Sequence, residues 1–298
     1  MMIEAMGFQF VETNGVKLNT SITGSGETIV LLHGFPEFWY CWRGVMNGLA
    51  GYRLVVPDMR GYHLSDKPEG VHNYNVRALM ADVIGLIEQV GEGPVTLVGH
   101  DWGGAIAWIV AAFRPDLVTR LVIINAPHPS IFTREILANP EQQKASQYMH
   151  ALSRPDAEAV FSADGFAELK NAMGMRRWDA AVIERYEEAW SKPGALTAML
   201  NYYRAMANKP PDFSKDEPPQ DGLRPEDQTR IPAIRITVPV LVIWGERDHA
   251  LLTGNLDGLE HYVPNLRIHR IARASHWVPA EAPEEVARLI GEFCAGRL

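Results

Sequence analysis

Apolar residues along this chain change period several times, and each change marks an element. FQFVET and VKLNTSIT read as two short strands separated by the turn formers Asn14 and Gly15, which predicts an antiparallel hairpin. TIVLLHG is a continuous apolar run, as expected of a strand covered on both faces. A helix over about 39–49 and the strand RLVVPD follow. Asn75 is placed to cap a helix reaching about Val90, VTLVGH is another buried strand, and GGAIAWIVAAF is a helix that stops before Arg114 and Pro115. VTRLVIINAP closes the series as a strand.

From about 128 to 231 the strand pattern disappears. Helical stretches take its place, among them EQQKASQYMHAL, DAAVIERYEEAW and GALTAMLNYYRAMA, and KPPDFSKDEPPQDGLRPEDQ reads as a connecting loop rich in Pro and charge. The strands PVLVIWG and LRIHRI and the closing helix PEEVARLIGEFC then resume the earlier alternation. The pattern predicts an α/β core over 1–128 and 232–298, a mostly parallel central sheet with helices on both faces, interrupted by an all-helical cap over 129–231.

Composition narrows the function classes. At 298 residues, 47% hydrophobic and 21% charged, the chain suits one core carrying an insertion. A formal net charge of −8 repels phosphate backbones and anionic lipid, so neither nucleic acid nor a membrane is an expected partner. Cys41 and Cys294 match no metal spacing and read as packed free thiols, which fits a reducing cytoplasm. The start, MMIEAMGF, lacks the basic and apolar regions of a leader, and no run of 18 apolar residues occurs, so a soluble, untargeted protein is expected. The ten histidines show no metal-ligand spacing and no glycine-rich phosphate loop is present, so neither a metal nor a cofactor is expected.

The candidate chemistry sits in GHDWGG, which follows a buried strand and opens a helix. A residue on so sharp a turn is presented at the carboxyl edge of the sheet, and Gly99, Gly103 and Gly104 let strand and helix approach; Asp101 occupies the centre. HGFPEFWYCWR spans 33–43, Asp248 lies in VIWGERDHALL just past a strand, and His276 lies in ASHWVPAEAP past the last one. Two tyrosines fall in the helical insertion, Tyr148 in SQYMHALSRP and Tyr203 in LNYYRAM.

In these motifs the chain resembles the α/β-hydrolase superfamily, and within it the epoxide hydrolases, over essentially its whole length. The resemblance implies an α/β-hydrolase fold with Asp101 as nucleophile, Asp248 as acid and His276 as base. The Phe35 and Trp102 backbone N–H groups would form the oxyanion hole, with a cis bond before Pro36 and with Trp102 and Pro36 lining the substrate pocket. Tyr203, in a marked family signature, and Tyr148, on looser spacing, would donate to the epoxide oxygen. Tyr202 faces elsewhere and reads as structural, and Glu246 and Arg247 read as a solvated rim. A second family position for the acid carries Asn125 and cannot serve. His33 and His100, which flank the motifs, are candidates for hydrogen bonds within the loop. The aromatics Trp39, Trp108, Trp178, Trp190 and Phe132 read as core or pocket lining.

A carboxylate is already ionised near neutral pH and needs no base to attack. His276 is then free to take a proton from the water that cleaves the resulting ester, while Asp248 orients its ring. A phenol near pKa 10 is a suitable donor to the opening ring. The expectation is a cofactor-independent epoxide hydrolase acting on neutral, fairly apolar epoxides through a covalent Asp101 ester. Its partners would be the small-molecule epoxide and water, with the chain a monomer or homodimer. Haloalkane dehalogenases share the Asp nucleophile, but Phe35 stands where many of them carry a halide-binding Asn. A non-catalytic ligand receptor on the same scaffold is the other alternative, against which the retained nucleophile, base, acid and phenols argue. Trp102 replaces the Arg with which fluoroacetate dehalogenases clamp a carboxylate, and Asp101 rules out a serine esterase.

Overall fold

The strands expected from the apolar runs pair into one eight-stranded sheet in the computed structural model, which describes residues 7–90, 92–215 and 217–298. They are β1 (Phe8–Thr13), β2 (Val16–Thr23), β3 (Thr28–Leu32), β4 (Arg53–Pro57), β5 (Val95–His100), β6 (Val118–Ile124), β7 (Val240–Gly245) and β8 (Leu266–Ile271), in the spatial order β1-β2-β4-β3-β5-β6-β7-β8. The β1–β2 and β2–β4 pairs are antiparallel and the rest are parallel. Every residue of β3, β5 and β7 is buried, which accounts for their unbroken apolar runs. At the edge, β8 keeps Arg267 and Arg270 exposed, charges that discourage another strand from pairing there.

The helices of the core are α1 (Arg43–Asn47), preceded by a 3₁₀ turn over Trp39–Trp42, α2 (Val76–Val90), α3 (Trp102–Phe113) and, after the insertion, α10 (Val278–Glu281) and α11 (Pro283–Cys294). The sequence predicted one helix where the turn and α1 stand. The Asn75 side chain caps α2 as expected, accepting from the N–H groups of Arg77 and Ala78 at 3.0 and 3.1 Å. α1 packs on α11, and α2 packs on α3.

Between β6 and β7 the described residues form helices and no strand: α4 (Pro129–Ala138), α5 (Pro140–Ala145), α6 (Tyr148–Ser153), α7 (Ala157–Ala172), α8 (Ala180–Trp190) and α9 (Ala195–Arg204). The stretch predicted as one helix, EQQKASQYMHAL, divides into α5 and α6. Buried Gln142 explains the break, because its amide donates to Ser146 Oγ and to the Ala250 carbonyl while its oxygen accepts from Leu252 N–H and Asn255. These bonds tie α5 to the loop after β7. α7 is interrupted at Ala163, after which Asp164, Gly165 and Phe166 all take positive φ.

Further buried polar contacts dock the insertion on the core. Tyr202 donates its hydroxyl to the Arg60 carbonyl at 2.7 Å, and the Trp190 indole N–H donates to the Pro36 carbonyl at 2.6 Å. Each contributes about 1 kcal/mol net. Arg60 is itself fixed by a two-pronged ion pair with Asp82 of α2, at 2.6 and 2.5 Å, with both side chains buried. Cys41 and Cys294 are free and buried. Among the described residues no helix is long and apolar enough to cross a membrane.

Candidate active site

β5 delivers the chain into Asp101, whose backbone takes φ 50° and ψ −122°, and α3 starts at the next residue. The glycines around it are required by contact. A Cβ at Gly99 would overlap the Gly103 carbonyl, one at Gly103 would overlap the Leu32 and His33 carbonyls, and one at Gly104 would strike the Ala126 methyl. Strand, turn and helix therefore lie closer together than any side chain would permit.

The turn aims the Asp101 carboxylate at two partners. Oδ1 accepts the Phe35 backbone N–H at 2.7 Å, and Oδ2 lies 3.5 Å from His276 Nε2. The Phe35–Pro36 bond is cis. Trp102, as the first residue of α3, has an N–H without an acceptor inside its own helix.

Asp248 and His276 come from the loops after β7 and β8. His276 Nδ1 is 2.7 Å from Asp248 Oδ2. Asp248 Oδ1 accepts from the Ala250 and Leu251 N–H groups at 2.8 and 2.9 Å. Glu246 and Arg247 are exposed beside it. Burial by itself would deprotonate His276, but Asp248 and then Asp101 override it and hold the imidazole well above its usual pKa. Burial likewise opposes ionisation of Asp101 and Asp248, yet His276 keeps both below the usual carboxylate range. Each carboxylate thus favours the charged form of His276, and His276 favours the charged form of each carboxylate.

Tyr148 opens α6 and Tyr203 lies in α9, with their rings 6.0 Å apart. The Tyr203 ring packs edge-on against Phe35 at 5.1 Å and Trp102 at 5.5 Å. Burial, and next the Asp101 charge, push both phenols upward, so both stay protonated. A cavity of about 470 Å³ and another of about 320 Å³ meet at these groups, since Asp101, Tyr148 and Tyr203 line both. Pro36, Trp178, Asp248 and His276 line the larger, and Trp102, Ile106 and Phe132 line the smaller. Trp39, Trp108 and Trp190 are buried in the core.

Asn125 and Glu37 play parts that the motifs did not announce, whereas the hydrogen bonds of His100 and His33 were expected. Asn125 donates to Asp248 Oδ2 at 2.8 Å, although the sequence only marked it as unable to be the acid. His100 Nδ1 lies 3.0 Å from buried Glu37, and its Nε2 lies 2.8 Å from the His276 carbonyl. The signal for this pair was its place in the two motifs, HGFPE and GHD. His33 does bond locally, with Nε2 accepting Met59 N–H at 2.9 Å and Nδ1 3.0 Å from the Gly34 carbonyl. Among the described residues no group of three or more His, Cys, Asp or Glu could hold a metal ion.

Residues 27–283 match the family model for the alpha/beta hydrolase fold. The AB hydrolase superfamily protein YfhM of Bacillus subtilis is 40% identical over 96% of this chain and 96% of its own. Human epoxide hydrolase 4 is 34% identical over 89% of this chain and 71% of its own. A crystal structure of a mutant epoxide hydrolase from Bacillus megaterium superposes with a TM-score of 0.86 at 34% identity, covering 96% of this chain and 100% of that one. With an aspartate on the elbow turn and two tyrosines facing it from the inserted helices, the chain belongs to the α/β-hydrolase fold family and, within it, to the epoxide hydrolases.

Proposed function

We propose that the protein hydrolyses neutral, apolar epoxides to vicinal diols in two steps, with Asp101 as nucleophile and His276 as the base of the second. Asp101 Oδ2 attacks a ring carbon while Oδ1 stays on Phe35 N–H. The ring C–O bond breaks, and the departing oxygen takes a proton from Tyr203 or Tyr148. The His276 imidazolium returns a proton to the resulting phenolate, directly or through water, and the neutral imidazole then removes a proton from a water that attacks the ester carbonyl. The oxyanion formed at Oδ1 is stabilised by the N–H groups of Phe35 and Trp102, worth about 3 kcal/mol per donor. Collapse releases the diol carrying Oδ2, and the water oxygen remains on Asp101.

The observation that carries this reading is the meeting of both cavities at one carboxylate faced by two protonated phenols. An ionised Asp101 close to a cationic His276 also explains the order of the steps. Esterification removes the Asp101 charge, one of the two that hold the proton on His276, and so readies the imidazole to act as a base.

Halide release is disfavoured because the Phe35 ring offers no N–H to a halide; of the two cap tryptophans that could substitute, Trp190 already donates its indole N–H to the Pro36 carbonyl, which leaves Trp178. The division into a core over 1–128 and 232–298 and a cap over 129–231 belongs to the same reading, with both phenols on the cap side. The two free buried thiols suit action in the cytoplasm.

The test is a His276→Gln variant incubated with an epoxide that the wild type turns over. Intact-mass analysis should show the protein gain one epoxide mass, and Asp101→Ala should gain nothing and form no diol. An unmodified His276→Gln protein would remove the covalent stage.

A further inference from the structure

Asn125 lies directly after β6 at φ 37°, fully buried, and all its side-chain polar atoms are engaged. Oδ1 accepts Gly245 N–H at 2.7 Å. Nδ2 donates to the Gly245 carbonyl at 3.3 Å and to Asp248 Oδ2 at 2.8 Å. The amide therefore has one permitted orientation. Turned over, its oxygen would face the Asp248 carboxylate and its NH₂ would face an N–H donor. The last residue of β7 thus dictates that a donor points at Asp248.

The oxygen it reaches is the one that binds His276 Nδ1 at 2.7 Å. The other Asp248 oxygen is held by two N–H groups of its own loop. Among the described residues, Asn125 is the sole donor from a different strand that meets the His276-binding oxygen. Without it, that oxygen can rotate out of the plane in which the imidazole needs it, and the ring loses its fixed direction toward the Asp101 ester.

We propose that Asn125 is a positioning residue for the hydrolytic half of the reaction, locking the Asp248 oxygen that orients His276. The inference rests on the two-step reading above. It assigns a function to the position after β6 where the catalytic acid itself is missing.

Alkyl-enzyme formation and ester hydrolysis can be timed separately by rapid quench and intact-mass analysis. Asn125→Gly keeps the positive φ and deletes the amide; Asn125→Asp keeps the shape and replaces the donor with an acceptor. Both should slow ester hydrolysis about tenfold or more, the scale of a lost hydrogen bond to a charged group, and leave alkylation within about twofold. Among the described residues, the ionisable groups facing His276 are Asp101 and Asp248 in direct contact, His100 with its ring 4.8 Å away, Glu37 behind His100, and Tyr148, Tyr203, Arg247, His249 and Glu281 around the same cavity. Asn125→Asp adds a negative charge to this set, so the rising limb of the hydrolysis-against-pH curve should move about one unit upward. Unchanged hydrolysis with an unchanged limb overturns the proposal. So does an equal slowing of both steps with a lowered Tm, which would mark Asn125 as structural only. If no ester forms even in His276→Gln, the two-step reading itself fails, a result separate from either of these.

Discussion

Gly34 lies flat against Asp101: a Cβ at Gly34 would overlap both Cβ and Oδ1 of the aspartate, the oxygen that Phe35 N–H holds at 2.7 Å. Gly34→Ala should therefore displace the Asp101 carboxylate, the nucleophile proposed above, while leaving the sheet intact. A shift near 1 Å is expected to slow alkylation about a hundredfold or more. Single-turnover kinetics beside a far-ultraviolet spectrum check this; a normal alkylation rate would mean that the loop relaxes without moving Asp101.

The phenols should act in the first step only. Tyr203→Phe and Tyr148→Phe are each expected to slow ring opening about tenfold, and the double variant about a thousandfold, within the range for a lost general acid. Ester hydrolysis should stay near wild type in all three. Because burial and Asp101 push both phenols up, no loss of alkylation from phenol ionisation is expected below about pH 10. A double variant that alkylates within threefold of wild type would dismiss both donors.

His276 gives the protein a pH-dependent stability. Its folded pKa is raised, so the stabilisation from its charged form is complete below the usual value near 6.5 and is lost as pH rises through the folded value. Asp101→Asn removes one of the two carboxylates responsible. The imidazole in that variant should titrate at lower pH, measured by NMR, and the fall in stability should begin at lower pH in denaturant titrations. Identical titration curves would show that Asp101 does not influence His276.

The Arg60–Asp82 pair should matter for folding rather than chemistry. Asp82→Ala leaves a buried guanidinium without its partner, which is expected to cost about 3–5 kcal/mol in urea unfolding. It should also loosen the Arg60 carbonyl that receives the Tyr202 hydroxyl. A loss below about 1 kcal/mol would indicate that Arg60 finds another partner.

Much of this architecture is legible in the sequence because local requirements and global fold coincide. The glycines of GHDWGG are demanded by the same close approach that exposes Asp101, so the motif and the geometry are one fact. β3, β5 and β7 announce themselves because both faces are covered. The inserted helices are less legible. Gln142 ends α5 through bonds to residues more than a hundred positions away, and the left-handed run Asp164–Gly165–Phe166 has one glycine where three positions take positive φ. The hydrogen-bonding role of Asn125 was hidden for a related reason. A motif reports which residue type occupies a site, whereas its hydrogen bonds to Gly245 and Asp248 depend on how two strands lie side by side.

Among the described residues the two cavities share three lining residues, Asp101, Tyr148 and Tyr203. Ile106, Phe132 and Ile234 shape one flank, while Met173, Trp178 and Trp277 shape the other. Such a layout separates recognition from reactivity in inheritance as well as in space. Replacing a side chain on one flank alters which substituent fits there without disturbing the opposite flank or the groups that break and make bonds. Preference for either half of an epoxide can drift by single steps, each leaving a working enzyme.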